Sequence, residues 1–144
     1  MTMEAKQDSE LLVNAVLPFA ERMLREYGEF HPCGGYMTLE GRIVDVGADK
    51  DGEDYPRSKD LLAALRKSFR SLARARECKA VALVFNVTIT IPGSDRKSDA
   101  IQVFVDHSDG YSADIFYPYE LVDGEVCYGE MFAQAGNHEI FSLN

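Results

Sequence analysis

The chain has 144 residues, with 15 Lys+Arg against 24 Asp+Glu, for a formal net charge of −9. That length suits one domain with one good core, and 46% hydrophobic with 27% charged residues excludes a globally disordered chain. Such an acidic chain is a poor general nucleic-acid binder, because phosphates repel it unless a compact basic patch dominates.

The uncharged stretch Ala80 to Ser94 carries Asn86, Thr88, Thr90 and Pro92 and is too short to span a bilayer. The N-terminus has no apolar core before a small-residue cleavage site, so no signal peptide is expected there. Cys33, Cys78 and Cys127 are odd in number, widely separated and without a C-x-x-C. Those features point to free thiols and a cytoplasmic home. No cofactor motif is present.

Charge is distributed unevenly. Nine acids and no Lys or Arg lie between Ser98 and Asn144, whereas residues 1–97 hold 15 of each sign. Arg57 to Lys79 has eight bases against Asp60 and Glu77, a +6 island. The chain reads as electrically bipolar.

In chain order, residues 1–8 are expected to be flexible, and Asp8 or Ser9 to cap a first helix reaching Tyr27. Leu12, Val16, Phe19, Met23 and Tyr27 form its apolar stripe, and Gly28 its C-cap. Pro18 predicts a kink or a start near Leu17. Gly35 to Leu39 and Arg42 to Val46 read as two short strands, followed by a loop from Gly47 to Pro56. Ser58 is placed to cap a second helix with the stripe Leu61, Leu65, Phe69 and Leu72. Arg66, Arg70 and Arg74 lie one turn apart on another face of it.

Beyond Lys79 the period changes to two. Val81 to Ile91 alternates in a strand whose two residue sets are both apolar up to Val84, which predicts a central position. Pro92-Gly93, Ser108-Asp109-Gly110 and Asp123-Gly124 read as turns between the later strands. The apolar end Ile140-Phe141 is placed to dock on the body or pair with an edge. The order α-β-β-α-β-β-β-β predicts a single α+β domain over 1–144, two-layered, with an antiparallel meander of about six strands and both helices on one face.

Most constellations are weak. Asp49 to Asp54 fails the spacing of a calcium loop, since Gly52 in the sixth place would put Ser58 in the twelfth. His31-Pro32-Cys33 offers two soft ligands that only the fold could join to Cys127 or His138. His107-Ser108-Asp109 holds the residue types of a hydrolase triad, but neighbours in a hairpin point apart. Glu29 and Asp114 could do acid–base work only if a cleft joined them. Gly-rich nucleotide fingerprints are missing, and Gly34-Gly35 only frees the backbone before a strand.

Two surfaces stand out. The face of Arg66, Arg70 and Arg74 fits either solvent or an acidic surface. In Asp114 to Glu120, alternation puts Ile115, Tyr117 and Tyr119 on one face of a strand, with Asp114 and Phe116 on the other. Pro118 lacks an amide donor, which predicts a strand end or an edge there. Asp114, Phe116, Tyr117, Tyr119 and Glu120 together offer a contact surface for a basic protein, though the tyrosines also read as core residues whose hydroxyls reach the rim.

The run Leu24 to Gly35, then Gly41 to Val44, Asp109-Gly110 and Tyr117-Pro118-Tyr119, resembles a family of small uncharacterised bacterial proteins. Their pattern is a helix ending in G-E-F-x-P-x-G before a hairpin, and a late strand ending in Pro-Tyr. The resemblance covers about residues 12 to 120. It implies a bacterial cytoplasmic α+β domain and carries no catalytic residue. Cys33 stands where an aromatic residue is expected.

Three functions follow as expectations. The first is a non-enzymatic binding domain whose acidic, tyrosine-bearing strands receive a basic partner, with a toxin-neutralising, immunity-type protein as one form. The second is a homo-oligomer in which the basic helix meets a neighbour's acidic strands. The third is an enzyme or small-molecule binder with its site between helices and sheet.

Overall fold

The computed structural model describes residues 3–47 and 58–141. Among these residues two helices, α1 (Met3–Tyr27) and α2 (Ser58–Arg74), accompany seven strands. These are β1 (Cys33–Met37), β2 (Ile43–Gly47), β3 (Ala80–Thr90), β4 (Lys97–His107), β5 (Ser112–Val122), β6 (Glu125–Tyr128) and β7 (Phe132–Ala135). All pair antiparallel in one sheet of order β2-β1-β3-β4-β5-β6, with β7 also on β5. The expected α+β class, antiparallel sheet and element order are present, with the sequence from Val126 to Phe132 split between two strands. The expected acidic loop 49–54 and its neighbours Pro56 and Arg57 lie outside the described residues, as does the side chain of Ser58.

The helices cover opposite faces of the sheet. Leu12, Val13, Val16, Ala20 and Leu24 of α1 pack with Ala80, Ala82 and Val84 of β3, and with Ile101, Val103 and Val105 of β4. Leu65 and Phe69 of α2 pack with Val81, Leu83 and Phe104. Residues of opposite parity on one strand point to opposite faces, so the expectation of both helices on one face is corrected. The reason lies in β3 itself: both of its residue sets are apolar, and a strand buried on both faces needs a cover on each.

α1 begins at Met3, inside the stretch expected to be flexible, and Asp8 and Ser9 are not caps but buried mid-helix residues. Ser9 donates its hydroxyl to the Ala5 carbonyl at 2.8 Å, and the Asp8 carboxylate is held by partners across the fold. Helix therefore continues through positions that read as a start. It also continues through Pro18, which faces solvent. The interruption costs about 3 kcal/mol, and burial of Leu12, Val13, Val16 and Leu24 offsets it.

The buried line is Leu12, Val13, Val16, Ala20 and Leu24, while Phe19 and Tyr27 of the expected stripe are exposed. Gly35 sets that rotation. A Cβ there would lie 2.8 Å from Val16 Cγ1, so only glycine lets the helix settle this close to β1. Gly28, at φ +74, ends α1 as expected, and its N–H donates to the Leu24 carbonyl at 2.9 Å.

Pro118 neither ends β5 nor sits on a free edge; it pairs with Ala100 in mid-strand. Its missing donor faces the other neighbour, where the strand breaks into β6 and β7 around Gly129. The Gly129 N–H donates to the Pro118 carbonyl at 2.8 Å, the one ladder group that Pro118 still offers.

Candidate functional site

The register of β5 sorts the expected contact residues. Asp114, Phe116 and Glu120 share parity with Phe104 and Gln102 on the α2 face, whereas Tyr117 and Tyr119 share parity with Ile101 and Asp99 on the α1 face. One strand thus divides the set between two surfaces, as period two requires. On the α2 face Phe116 stacks on Phe132 with ring centroids 4.9 Å apart. Asp114 accepts a 2.9 Å hydrogen bond from Gln102, and burial raises its pKa, reinforced by Glu139 and opposed by Gln102 and Arg66.

The tyrosines gather on the α1 face. Tyr119 is 4% exposed, and its hydroxyl reaches out to donate to Asn86 Oδ1 at 2.8 Å. Tyr117 meets Tyr128 edge to face at 6.1 Å between centroids, and Tyr128 donates to Glu21 Oε2 at 2.8 Å. Tyr111, after the β4–β5 turn, completes the row. Burial raises the pKa of all four hydroxyls. A carboxylate adds to it in each case: Glu10 for Tyr111, Glu21 for Tyr117 and Tyr128, and Asp99 for Tyr119.

Between α1 and the strands lies an open groove of about 340 Å³. Val13, Asn14 and Glu10 line its helix side, Tyr111, Ile115 and Tyr117 its floor, and Met131 and Ala133 its outer wall. The sequence reading passed over Glu10, Asn14, Tyr111 and Glu21. A signal was there: Glu10, Asn14, Leu17 and Glu21 recur at four, three and four, a helical line flanking the apolar stripe.

The basic helix face is partly occupied from within. Arg66 Nε meets Glu139 Oε2 at 2.9 Å, and Arg70 Nε donates to the Glu139 carbonyl at 3.3 Å, while Arg74 is exposed. Residues 136–141 lie against the α2 face. Buried Asp106 accepts the N–H groups of Ile140 and Phe141 through Oδ2, each at 2.9 Å. The docking expected for Ile140-Phe141 is seen.

The remaining candidates separate. His107, 2% exposed, donates through Nε2 to Asp8 Oδ2 at 2.9 Å and accepts the Asp109 N–H at Nδ1, while Ser108 sits exposed in the turn. An acceptor Nδ1 fixes the ring as neutral, with both nitrogens engaged, so no triad forms. Asp106, His138 and Ser112 do come together, but Ser112 Oγ accepts the His138 backbone N–H, and His138 Nδ1 has no hydrogen-bond partner among the described residues.

Glu29 lies in the loop beside Phe30 and His31 on the α1 side, away from Asp114. Cys33 faces α1 and Cys127 the opposite side, at register positions paired with Val84 and Glu120. Among the described residues, no three His, Cys, Asp or Glu side chains gather as metal ligands.

Among the described helices, none is long and apolar enough to cross a membrane. No family model, no curated protein and no solved structure matches the chain.

Proposed function

We propose that the chain is a non-enzymatic protein-binding domain whose tyrosine-lined groove beside α1 receives a basic segment of a partner. One observation carries this reading. Tyr111, Tyr117, Tyr119 and Tyr128 lie on one face, and the carboxylates of Glu10, Glu21 and Asp99 act on their hydroxyls. A row of aromatic rings set among carboxylates, half-buried at Tyr111 and Tyr117, favours a cation over an anion. Tyrosine contributes contact area at low entropic cost and suits the centre of a protein interface.

The contact surface is accordingly redrawn: Tyr117 and Tyr119 stay, joined by Tyr111, Tyr128, Glu10 and Glu21, and Asp114, Phe116 and Glu120 leave it. Masking a cationic site on a toxin is a concrete form of such a role. The homo-oligomer reading is weakened because Arg66 already has its acid, Glu139, in the same chain. A small ligand in the same groove is the second reading, favoured by the groove's volume of about 340 Å³.

Immobilised native chain is compared with a Glu10→Gln, Glu21→Gln, Asp99→Asn variant for capture from the native host at low and physiological ionic strength. The expected result is one basic protein retained by the native chain, more weakly at higher salt, and lost by the variant. Equal retention by both chains, or no basic protein at either ionic strength, overturns the reading.

A further inference from the structure

We infer that the partner segment binds in extended form, as a strand added to the open edge of β7, with basic side chains at i and i+4 reaching Glu10 and Glu21. This rests on the acidic-groove reading and goes beyond it, because it states the conformation and spacing of the ligand.

Among the described residues, β7 pairs with β5 on one side only. The Gly136 N–H donates to the Ser112 carbonyl at 3.0 Å. Antiparallel pairs alternate between bonded and non-bonded positions. Ala135 and Ala133, one and three residues back, therefore turn their N–H and C=O groups outward. Natural edges are commonly blunted by charge or proline. β2, the opposite edge, carries exposed Asp45 at its centre, and β6 begins with exposed Glu125. β7 reads Phe-Ala-Gln-Ala, with neither charge nor proline. It is the least defended edge of the sheet, and its shortness confines the contact to a few residues.

That edge also borders the groove. Ala133 and Ala135 share parity with Ile115 and Ala113 on the α1 face, and Ala133 forms part of the groove wall. The alanine methyls make a low stretch of that wall next to Met131. A strand placed about 4.8 Å beyond β7 would send alternate side chains over them toward Tyr111, Tyr117 and the α1 carboxylates. Glu10 and Glu21 are eleven residues apart on one helix, which is about 16 Å along its axis. In an extended chain, residues i and i+4 share a face about 13 Å apart, and flexible lysine or arginine stems span the difference.

A second copy of this chain is a poorer occupant. Its β7 brings no cation, and its own Glu10 and Glu21 would meet like charges.

The test uses a fluorescent synthetic seven-residue peptide of threonine and valine, with lysines at its second and sixth positions. A second version carries backbone N-methyl groups at alternate residues. Binding to the full chain is read by anisotropy, and self-association by sedimentation.

The native chain should bind the plain peptide, with at least about tenfold weaker binding in each of three cases: the N-methylated peptide, Glu10→Gln/Glu21→Gln, and Ala133→Pro. The proline removes an outward N–H and no bond to β5; the N-methylated peptide asks the same question of an unaltered protein. If the carboxylate variant weakens binding but N-methylation and Ala133→Pro do not, the added strand is overturned and the acidic groove stands. If the carboxylate variant binds normally, the groove reading itself fails. No binding of the plain peptide, or a dimer of the native chain that Ala133→Pro dissolves, overturns the inference.

Discussion

Asp8 and His107 lie 99 residues apart in sequence, and 2.9 Å separates Asp8 Oδ2 from His107 Nε2. Lys79 adds its Nζ to the same carboxylate oxygen at 3.2 Å. The cluster ties the first turns of α1 to the end of β4 and to the residue before β3. The imidazole is neutral because its Nδ1 accepts the Asp109 N–H. Lys79 therefore balances the carboxylate's charge, and His107 orients it.

Asp8→Ala leaves the Nε2–H buried without an acceptor and Lys79 without its acid. A loss of about 2–4 kcal/mol is expected in urea unfolding. Asp8→Asn keeps an oxygen for the ring and should cost less. Equal stability of Asp8→Ala and the native chain would show that residues 3–8 contribute little to the fold.

Two carboxylates give opposite pH dependences. Burial opposes ionisation of Asp8, but His107 and Lys79 outweigh it and hold its pKa below the usual range. Its stabilisation is complete above the unfolded value and lost as pH falls through the lower folded one. Asp106 is raised by burial, which outweighs the Phe141 and Ile140 N–H groups. It binds its proton more tightly folded than unfolded, so its contribution present at low pH is lost as pH rises through the folded value. Asp106→Asn retains an acceptor for both N–H groups without the charge. Its stability relative to the native chain should rise between about pH 4 and about pH 7, measured by urea unfolding; a flat or falling difference refutes this.

At Gly35 the close approach of α1 can be tested by volume. A Cβ would lie 2.8 Å from Val16 Cγ1 and 2.9 Å from the Val44 carbonyl oxygen. Gly35→Ala should cost about 1–3 kcal/mol. Adding Val16→Ala should return part of it, because the side-chain clash disappears while the backbone one remains. Strictly additive losses would place the strain elsewhere.

The thiols should react unequally. Burial, with Asp45 beside it, pushes Cys33 up to about 12, and burial with Glu77 pushes Cys78 up to about 11, whereas Cys127 is exposed. A thiol reagent at neutral pH should titrate one cysteine in the native chain and all three in denaturant. Rapid labelling of Cys33 or Cys78 in native protein would contradict their burial.

Local pattern alone determined most of the elements, though not the start of α1 or the β6–β7 split, because local periodicity and turn chemistry are written in neighbouring residues. The alternation of Val81 to Ile91, the stripe Leu61-Leu65-Phe69 and the Asp123-Gly124 turn, with φ +51 and +78, are of this kind. The two apolar sets of β3 already required cover on both faces, though which helix supplied each cover was not written there. Tertiary structure decided that, along with the true face of α1, the helical fate of Asp8, and the grouping of Tyr111 and Tyr128 with Glu10 and Glu21. Sequence placed Tyr117 and Tyr119 on one side of a strand and the acids Asp114 and Glu120 nearby. The β4–β5 register brought Asp99 to Tyr119, and only the stacking of α1 over the sheet gave Tyr111, Tyr117 and Tyr128 the acids Glu10 and Glu21. A strand's two faces are fixed by its period of two; what lies across each face depends on contacts between residues far apart in the chain, which no local pattern records.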